Sequence, residues 1–217
     1  MKKLMLTIIG SMFMLLSIGQ GEKYMKAMKD KVAAVDTTRD HVALKDLSAA
    51  FERIADAEKT QWLPYYYAAL TQVNAAMVSA MSGQPDAAIT DPMADKAEEL
   101  LNKADAISKD NSEIFVVRKL IASTRMIVDP MNRYMKYAPL AQEALETAKK
   151  LNPENPRVYL LEGQDKFFTP EKYGGSKTEA KKLFEEAAKK FESFKPASEI
   201  DPAWGQRSLT YLMGQLK

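Results

Sequence analysis

One spacing of small and bulky apolar residues recurs along the chain, and it restricts the fold more than any other feature. The pattern is alanine, then Leu or Phe four residues later, then alanine three residues after that. These positions share one face of an α-helix, where alanine at both ends lets a second helix approach closely. No stretch alternates apolar and polar residues long enough to indicate a sheet. The sequence therefore predicts an all-α fold. The copies are Ala97/Leu101/Ala104, Ala141/Leu145/Ala148, Ala180/Phe184/Ala187 and a weaker one at Ala43/Leu47/Ala50.

A large aromatic residue follows three of these copies at a nearly constant distance. The distances are 18 residues from Ala97 to Phe115, 18 from Ala141 to Tyr159 and 19 from Ala43 to Trp62. In these residues the chain resembles the tetratricopeptide repeats, although the repeats are divergent. The resemblance implies a right-handed α-α superhelix of about four helix pairs, followed by a C-terminal capping helix. The repeats are expected at approximately 22–58, 59–109, 110–152 and 153–195, and the capping helix at 201–217.

The turn within each predicted repeat is longer than the family pattern requires. About 16 residues are expected from the first-helix aromatic to the second-helix alanine, and the chain has 35 after Trp62, 26 after Phe115 and 21 after Tyr159. Equivalent turns of a solenoid stack along one edge, so the extra residues are predicted to form a ridge that binds a partner. The alternative is that their apolar side chains fold back over the core edge. The sharpest case is the predicted turn 126–139, with Met131, Tyr134, Met135 and Tyr137.

Capping residues mark several predicted helix starts. A side-chain cap followed by proline favours a first turn, and such pairs occur at Asp91-Pro92, Asn155-Pro156, Thr169-Pro170 and Asp201-Pro202. The stretch GGSKT resembles a phosphate-binding loop, but Ser176 and Glu171 replace the two glycines that this loop needs. We predict instead that Gly174 and Gly175 end a turn and that Ser176 with Glu179 forms a capping box. Further on, Trp204 is expected to pack against the preceding repeat.

The first nineteen residues predict a secretory signal. Lys2 and Lys3 precede an apolar run, and small residues lie three and one positions before Gln20;. The run is shorter than the roughly 20 residues that span a bilayer. We therefore expect residues 1–19 to be cleaved and residues 20–217 to form a helical domain in the periplasm or at the cell envelope, without stable membrane insertion. The alternative is an uncleaved anchor, because lysines follow at Lys23, Lys26, Lys29 and Lys31.

Composition excludes several classes of function. The chain has no cysteine and one histidine, His41, so thiol catalysis, disulfides and His-rich metal sites are ruled out. Loss of Lys2 and Lys3 would leave equal numbers of basic and acidic residues, so the basic surface needed for nucleic acid is missing;. No catalytic constellation is present in the sequence. We predict a protein that is not an enzyme and that uses no metal or cofactor.

The inner face of such a superhelix is lined by the first helix of each repeat and can hold an extended peptide. We predict that the protein is an exported scaffold that holds a protein or peptide partner of unknown identity in this groove. The alternative is a small-ligand or glycan-binding component of an envelope uptake system, which would need an aromatic, partly exposed pocket near Tyr65 to Tyr67. The simplest interpretation of the same face is that its side chains are solvated and bind no ligand. The candidate groove residues are Tyr67, Glu113, Arg157 and Gln164.

Overall fold

A computed structural model describes residues 21–83 and 85–216 of the chain. All regular structure in these ranges is helical, which confirms the all-α prediction. The helices are α1 (21–35), α2 (His41–Glu58), α3 (Trp62–Met81), α4 (Ala87–Ile107), α5 (Ser112–Ile127), α6 (Pro130–Leu151), α7 (Pro156–Phe168), α8 (Lys177–Ser193) and α9 (Gln206–Gly214), with a 3-10 turn at Glu171–Tyr173. Consecutive helices pack on one another as in a superhelix.

The predicted signal segment and its cleavage point lie outside the described ranges. Within those ranges, no helix has the length and apolarity to cross a membrane.

Three copies of the alanine spacing are buried as predicted. Their members on α4, α6 and α8 all have at most a few per cent of their surface exposed. The fourth copy was wrong by one residue. On α2 it is Leu44, Ser48 and Phe51 that face inward, whereas Ala43 is exposed. The bulky Phe51 ring decides which face is buried, and Ser48 Oγ donates to the carbonyl of Ala68 at 2.8 Å.

Enlarging a buried alanine of the repeat should destabilise the protein. Replacing Ala141 or Ala180 by leucine inserts three carbons where helices are in contact, and we expect each change to cost roughly 1–3 kcal/mol. The matched control is Ala43→Leu, because Ala43 is exposed and its substitution should be nearly neutral. Urea unfolding measures all three. Unchanged stability for both buried sites would show that these alanines do not form tight helix contacts.

In the predicted repeats at 59–109 and 110–152 the extra residues lengthen helices and do not form long turns, whereas residues 169–176, between α7 and α8, form the longer turn that was predicted. The three helices concerned, α3, α4 and α6, have 20, 21 and 22 residues. The prediction of a turn over 126–139 was therefore wrong. Asp129 caps α6 by accepting from the backbone N–H of Asn132 at 3.3 Å, and Pro130 occupies the first turn. This is the same cap-and-proline signal that marks other helix starts, so Met131 to Tyr137 lie on the first turns of α6.

The predicted helix starts had mixed outcomes. Asn155 caps α7 and Ser176 caps α8, both as predicted, and Gly174 has the positive φ expected of a turn, 91°. The capping box is only half formed, because the Ser176 N–H donates to the carbonyl of Lys166 at 2.9 Å and not to Glu179. Gly175 is required for another reason, since a side chain there would meet the backbone oxygen of Thr169. The other pairs start no α-helix: Asp91-Pro92 lies inside α4, Thr169-Pro170 precedes the 3-10 turn, and Asp201-Pro202 lies four residues before α9.

Residues 195–205, between α8 and α9, form a strap across the inner face of the array. Tyr67 on α3 donates its hydroxyl to the carbonyl of Ile200 at 2.9 Å, and Trp204 Nε1 donates to the Tyr66 hydroxyl at 2.8 Å. An ion pair of 2.7 Å joins Lys29 on α1 to Glu199. Trp204 packs against the preceding repeat, as predicted, because its ring centroid lies 5.6 Å from the guanidinium of Arg157 on α7. It also reaches α3. The strap connects the two ends of the array.

Candidate functional site

The inner face carries a buried hydrogen-bond network centred on Glu113. This carboxylate lies in the first turn of α5 and accepts from Arg157 Nε and Nη2, the latter at 2.7 Å. It also accepts from the Tyr66 hydroxyl at 3.0 Å and from Asn155 Nδ2 at 2.7 Å. Side chains of α3, α5 and α7 are thereby joined by one carboxylate. The network holds three first helices of neighbouring pairs in register.

The guanidinium of Arg157 is enclosed by the strap and its flanks. Its side chain is only 1% exposed and that of Glu113 13%. The guanidinium lies 4.8 Å from the ring centroid of Phe194 and 5.6 Å from that of Trp204, and it donates to the Trp204 carbonyl at 3.3 Å. Burial lowers the pKa of Arg157, but the adjacent Glu113 carboxylate outweighs this and raises it;. Arg157 is therefore a charged residue without access to solvent.

The four predicted groove residues lie on one face but do not line an open groove in this structure. Arg157 donates to Glu113, and both Tyr67 and Arg157 donate to backbone carbonyls of the strap. Gln164 lies farther along α7, where its Nε2 donates to Ser208 Oγ of α9 at 3.2 Å. A peptide could reach these side chains only after the strap had moved. Whether any partner uses this face stays a prediction.

The predicted ridge residues lie at the start of α6, and three of them are strongly exposed. Met131 is 84% exposed, Met135 82% and Tyr134 55%, while Tyr137 is half-buried. We call Met131, Tyr134 and Met135 the edge patch. Arg133 anchors this end of α6 to α4 by two bonds to Asp91, of 2.6 and 2.8 Å. The side chains of the edge patch therefore do not fold back over the core. Other exposed apolar residues near turns within helix pairs are Met81, Ile89, Phe168 and Tyr173.

A cleft of about 430 Å³ separates α1 from α2. Its polar rim is formed by Lys23, Lys31, Arg53 and Glu58, and its remaining lining is Tyr24, Ala27, Ala50, Ile54 and Ala57. None of the three rim cations makes an ion pair with another described residue. Two helix faces thus line the cleft with apolar side chains, three cations and one carboxylate.

Tyr24 is the unusual residue of this cleft. It is 8% exposed, and its hydroxyl is buried without a hydrogen-bond partner among the described residues. Burial, together with the nearby carboxylates of Glu58 and Asp201, raises the pKa of the Tyr24 hydroxyl, so it remains a neutral donor;. An unpaired buried hydroxyl costs roughly 1–3 kcal/mol. The Tyr24 ring therefore lines the cleft, while its hydroxyl lies buried in the core.

Comparison with known proteins gave one informative relationship. No protein-family model matches the sequence, and no curated protein sequence matches it. Among solved structures, the HusA haemophore from Porphyromonas gingivalis matches with a TM-score of 0.78 and 30% sequence identity, covering 89% of this chain and 92% of that chain. The chain belongs to the HusA family.

The match to HusA extends over nearly the whole helical array and is not confined to a single repeat. The relative is, by its description, a binding protein. This favours a binding role for the present chain over an enzymatic one. Among the described residues, no group of three or more His, Cys, Asp or Glu side chains is arranged to hold a metal ion.

A second, smaller cleft in this HusA-family protein measures about 360 Å³ and lies between α2, α3 and α4. Its lysines are Lys45 and Lys96, and its apolar walls include Ile89 and Met93. Lys96 Nζ is already bonded to Glu52 at 2.6 Å. Less positive charge is therefore available here than at the α1–α2 cleft.

Sequence reasoning missed both the strap and the α1–α2 cleft. The strap forms contacts between residues more than 130 positions apart, which no local pattern reports. The cleft could have been suspected from α1, where Lys23, Ala27 and Lys31 recur every four residues and so share one face;. Its other wall comes from α2, whose buried face was assigned one residue out of register.

Proposed function

We propose that the protein is an exported carrier that binds a haem-type tetrapyrrole without covalent attachment. The observation that carries the proposal is the 30% identity to a haemophore over 92% of that protein's length. The charged start and short apolar run of residues 1–19 support export;. The function predicted as the alternative, binding of a small ligand for uptake, thereby becomes the favoured one over a peptide scaffold. The partly exposed aromatic residues that this alternative placed near Tyr65 to Tyr67 are wrong, however, because all three side chains are buried.

The geometry supports a small ligand more than an extended peptide. The inner face, which would receive a peptide, is covered by the strap through Ile200 and Trp204. The absence of cysteine from the sequence excludes thioether attachment and thiolate ligation;.

Titration with haemin tests this function. We expect a saturable change in the Soret absorbance of haemin when the purified protein, without its first nineteen residues, is added. The change should reach its limit at a fixed ratio of ligand to chain, because a built site fills completely whereas nonspecific adsorption does not. Absence of any saturable change would contradict the proposed function.

Binding of a protein at the edge patch is a second candidate function. It is favoured by the exposure of Met131, Tyr134 and Met135 on a helix end that is held in place by the Arg133–Asp91 pair. Flexible methionines and aromatic rings are common on protein-binding surfaces. The two functions are compatible, since a carrier delivers its ligand to another molecule.

A further inference from the structure

Residues 168–177, between α7 and α8, hold two aromatic rings in solvent, and we call this segment the aromatic turn. Phe168 is 68% exposed and Tyr173 is 63% exposed. Aromatic side chains gain more than most from leaving water, because each can bury roughly 150–250 Å² of surface. Exposed apolar residues that cluster on one turn are typical of a surface that another body covers.

Internal hydrogen bonds hold the aromatic turn in one conformation. The backbone N–H of Tyr173 donates to the carbonyl of Pro170 at 2.8 Å, and the N–H of Ser176 donates to the carbonyl of Lys166 at 2.9 Å. An ordered turn loses little conformational entropy when its side chains are buried against another surface. The two exposed rings are therefore presented at fixed positions.

The charged residues around these rings are mainly basic. Residues 171–182 include four lysines and two glutamates, and Glu179 is already paired with Lys166 at 2.9 Å. Lys172 and Lys177 form no ion pair with another described residue. Lys172 Nζ lies 4.8 Å from the ring centroid of Tyr173. The aromatic turn thus combines apolar rings with an excess of positive charge.

The type of cation indicates what kind of partner covers this surface. Protein-binding surfaces are enriched in arginine and depleted in lysine, whereas residues 165–182 contain five lysines and no arginine. Lysine is attracted to anionic lipid headgroups without needing a fixed geometry. Aromatic rings favour the boundary between headgroups and acyl chains. This combination fits the surface of an anionic membrane better than it fits a protein.

The aromatic turn lies at the same edge of the array as the edge patch. Lys119 of α5 donates to Asp165 of α7 at 2.7 Å, and Arg157 of α7 donates to Glu113 of α5. The partners are 46 and 44 residues apart, so α5 and α7 run side by side in the same direction. The end of α7 is therefore beside the end of α5, where α6 begins. A flat surface that meets the aromatic turn also approaches the edge patch.

We propose that the aromatic turn binds the surface of an anionic phospholipid membrane, with Phe168 and Tyr173 entering the headgroup region while Lys172 and Lys177 contact lipid phosphates. Such binding is peripheral and reversible, because two rings bury far less apolar surface than a spanning helix does. The proposal goes beyond carriage of a small ligand, since it places the carrier at the membrane and brings the edge patch close to proteins of that membrane.

Sedimentation with lipid vesicles tests the proposal without haemin. Residues 20–217 should sediment with vesicles of equal parts phosphatidylcholine and phosphatidylglycerol, and should stay in solution with vesicles of phosphatidylcholine alone. Residues 1–19 are omitted because their apolar run would itself bind lipid. Added salt should weaken the binding, since it screens exposed charges. Binding to neither kind of vesicle, or equal binding to both, would overturn the proposal.

Removing the rings tests their entry into the bilayer. Phe168→Ser/Tyr173→Ser should weaken binding to the mixed vesicles at least about tenfold, because binding strength scales with buried apolar area. Tyr211→Ser is the control, since Tyr211 on α9 is 66% exposed and its loss should leave binding unchanged. The fluorescence of Phe168→Trp should be quenched by vesicles with brominated acyl chains far more than that of the unchanged protein. Equal quenching would show that position 168 stays in water.

Removing the lysines tests the attraction to anionic lipid. Lys172→Gln/Lys177→Gln should weaken binding to the mixed vesicles roughly 25-fold, at about fivefold for each lysine near an anionic surface. Lys23→Gln/Lys26→Gln at the start of α1 changes the net charge equally and removes two exposed lysines, so it is the matched control. We expect this control to bind the vesicles like the unchanged protein.

Each remaining outcome also decides the proposal. If the ring variant and the lysine variant both bind like the unchanged protein, another surface contacts the lipid and the assignment is overturned. If only the lysine variant weakens binding, the rings take no part and the proposal is wrong. Far-ultraviolet circular dichroism shows whether each variant is folded, and Tyr173→Ser alone replaces the ring variant if the double change unfolds the chain. The haemin titration judges the carrier function separately.

Discussion

Replacing Arg157 by methionine should lower the free energy of unfolding by about 3–5 kcal/mol, because removing one member of a buried ion pair leaves the other charge uncompensated. Glu113 would keep its bonds from Tyr66 and Asn155 but lose its cationic partner. The matched control is Lys103→Met, which breaks an exposed pair with Glu99 and should cost less than about 1 kcal/mol;. Urea unfolding followed by circular dichroism measures both.

A double-mutant cycle identifies the pair as the cause. Glu113→Gln alone should also destabilise the protein, since it leaves the Arg157 charge buried and unpaired. The combined variant should lose less stability than the two single losses added together, because neither charge then remains alone. Additive losses, or an Arg157→Met variant within 1 kcal/mol of the unchanged protein, would show that the two side chains do not act as a buried pair.

Replacing Trp204 by alanine should release the strap and cost about 3 kcal/mol, near the lower limit for loss of a packed tryptophan. The substitution removes the bond to Tyr66 and uncovers one side of the Arg157 guanidinium. Tyr211→Ala on α9 is the control, since Tyr211 is exposed and its loss should be nearly neutral. Hydrogen exchange supplies a second measurement: backbone amides of residues 198–205 should exchange faster in Trp204→Ala. Unchanged hydrogen exchange together with unchanged stability would show that Trp204 does not hold the strap in place.

Local features of the fold were predictable from the sequence, because they depend on residues a few positions apart. The alanine spacing on α4, α6 and α8 follows from helical periodicity, and Ser176 with Glu179 forms a cap that needs no tertiary partner;. The buried face of α2 was predicted one residue out of register because tertiary packing, and not helical periodicity, determines which residues of that helix face inward. Both Leu47 and Phe51 are helical neighbours of small residues, and only the three-dimensional fit shows that Phe51 is the one enclosed.

The candidate sites were harder to predict because they join distant parts of the chain. Arg157, Glu113 and Tyr67 were selected as neighbours on one face, and the structure places them together. Their burial depends on the strap, whose sequence offers only proline and tryptophan as signals. The α1–α2 cleft depends on the relative placement of two helices, which periodicity does not report.

Because of the strap, the order in which residues are synthesised determines when the inner face can form. Proteins are made from the N-terminus at roughly 5–20 residues per second, so Tyr67 leaves the ribosome on the order of ten seconds before its acceptor, the Ile200 carbonyl, which lies 133 residues later. During that interval the first helix pairs can form, but Tyr66, Tyr67 and Arg157 have no cover. The inner face acquires its native structure only when residues 198–204 arrive. A growing chain therefore stays short of its most stable state until residues 198–204 have been made.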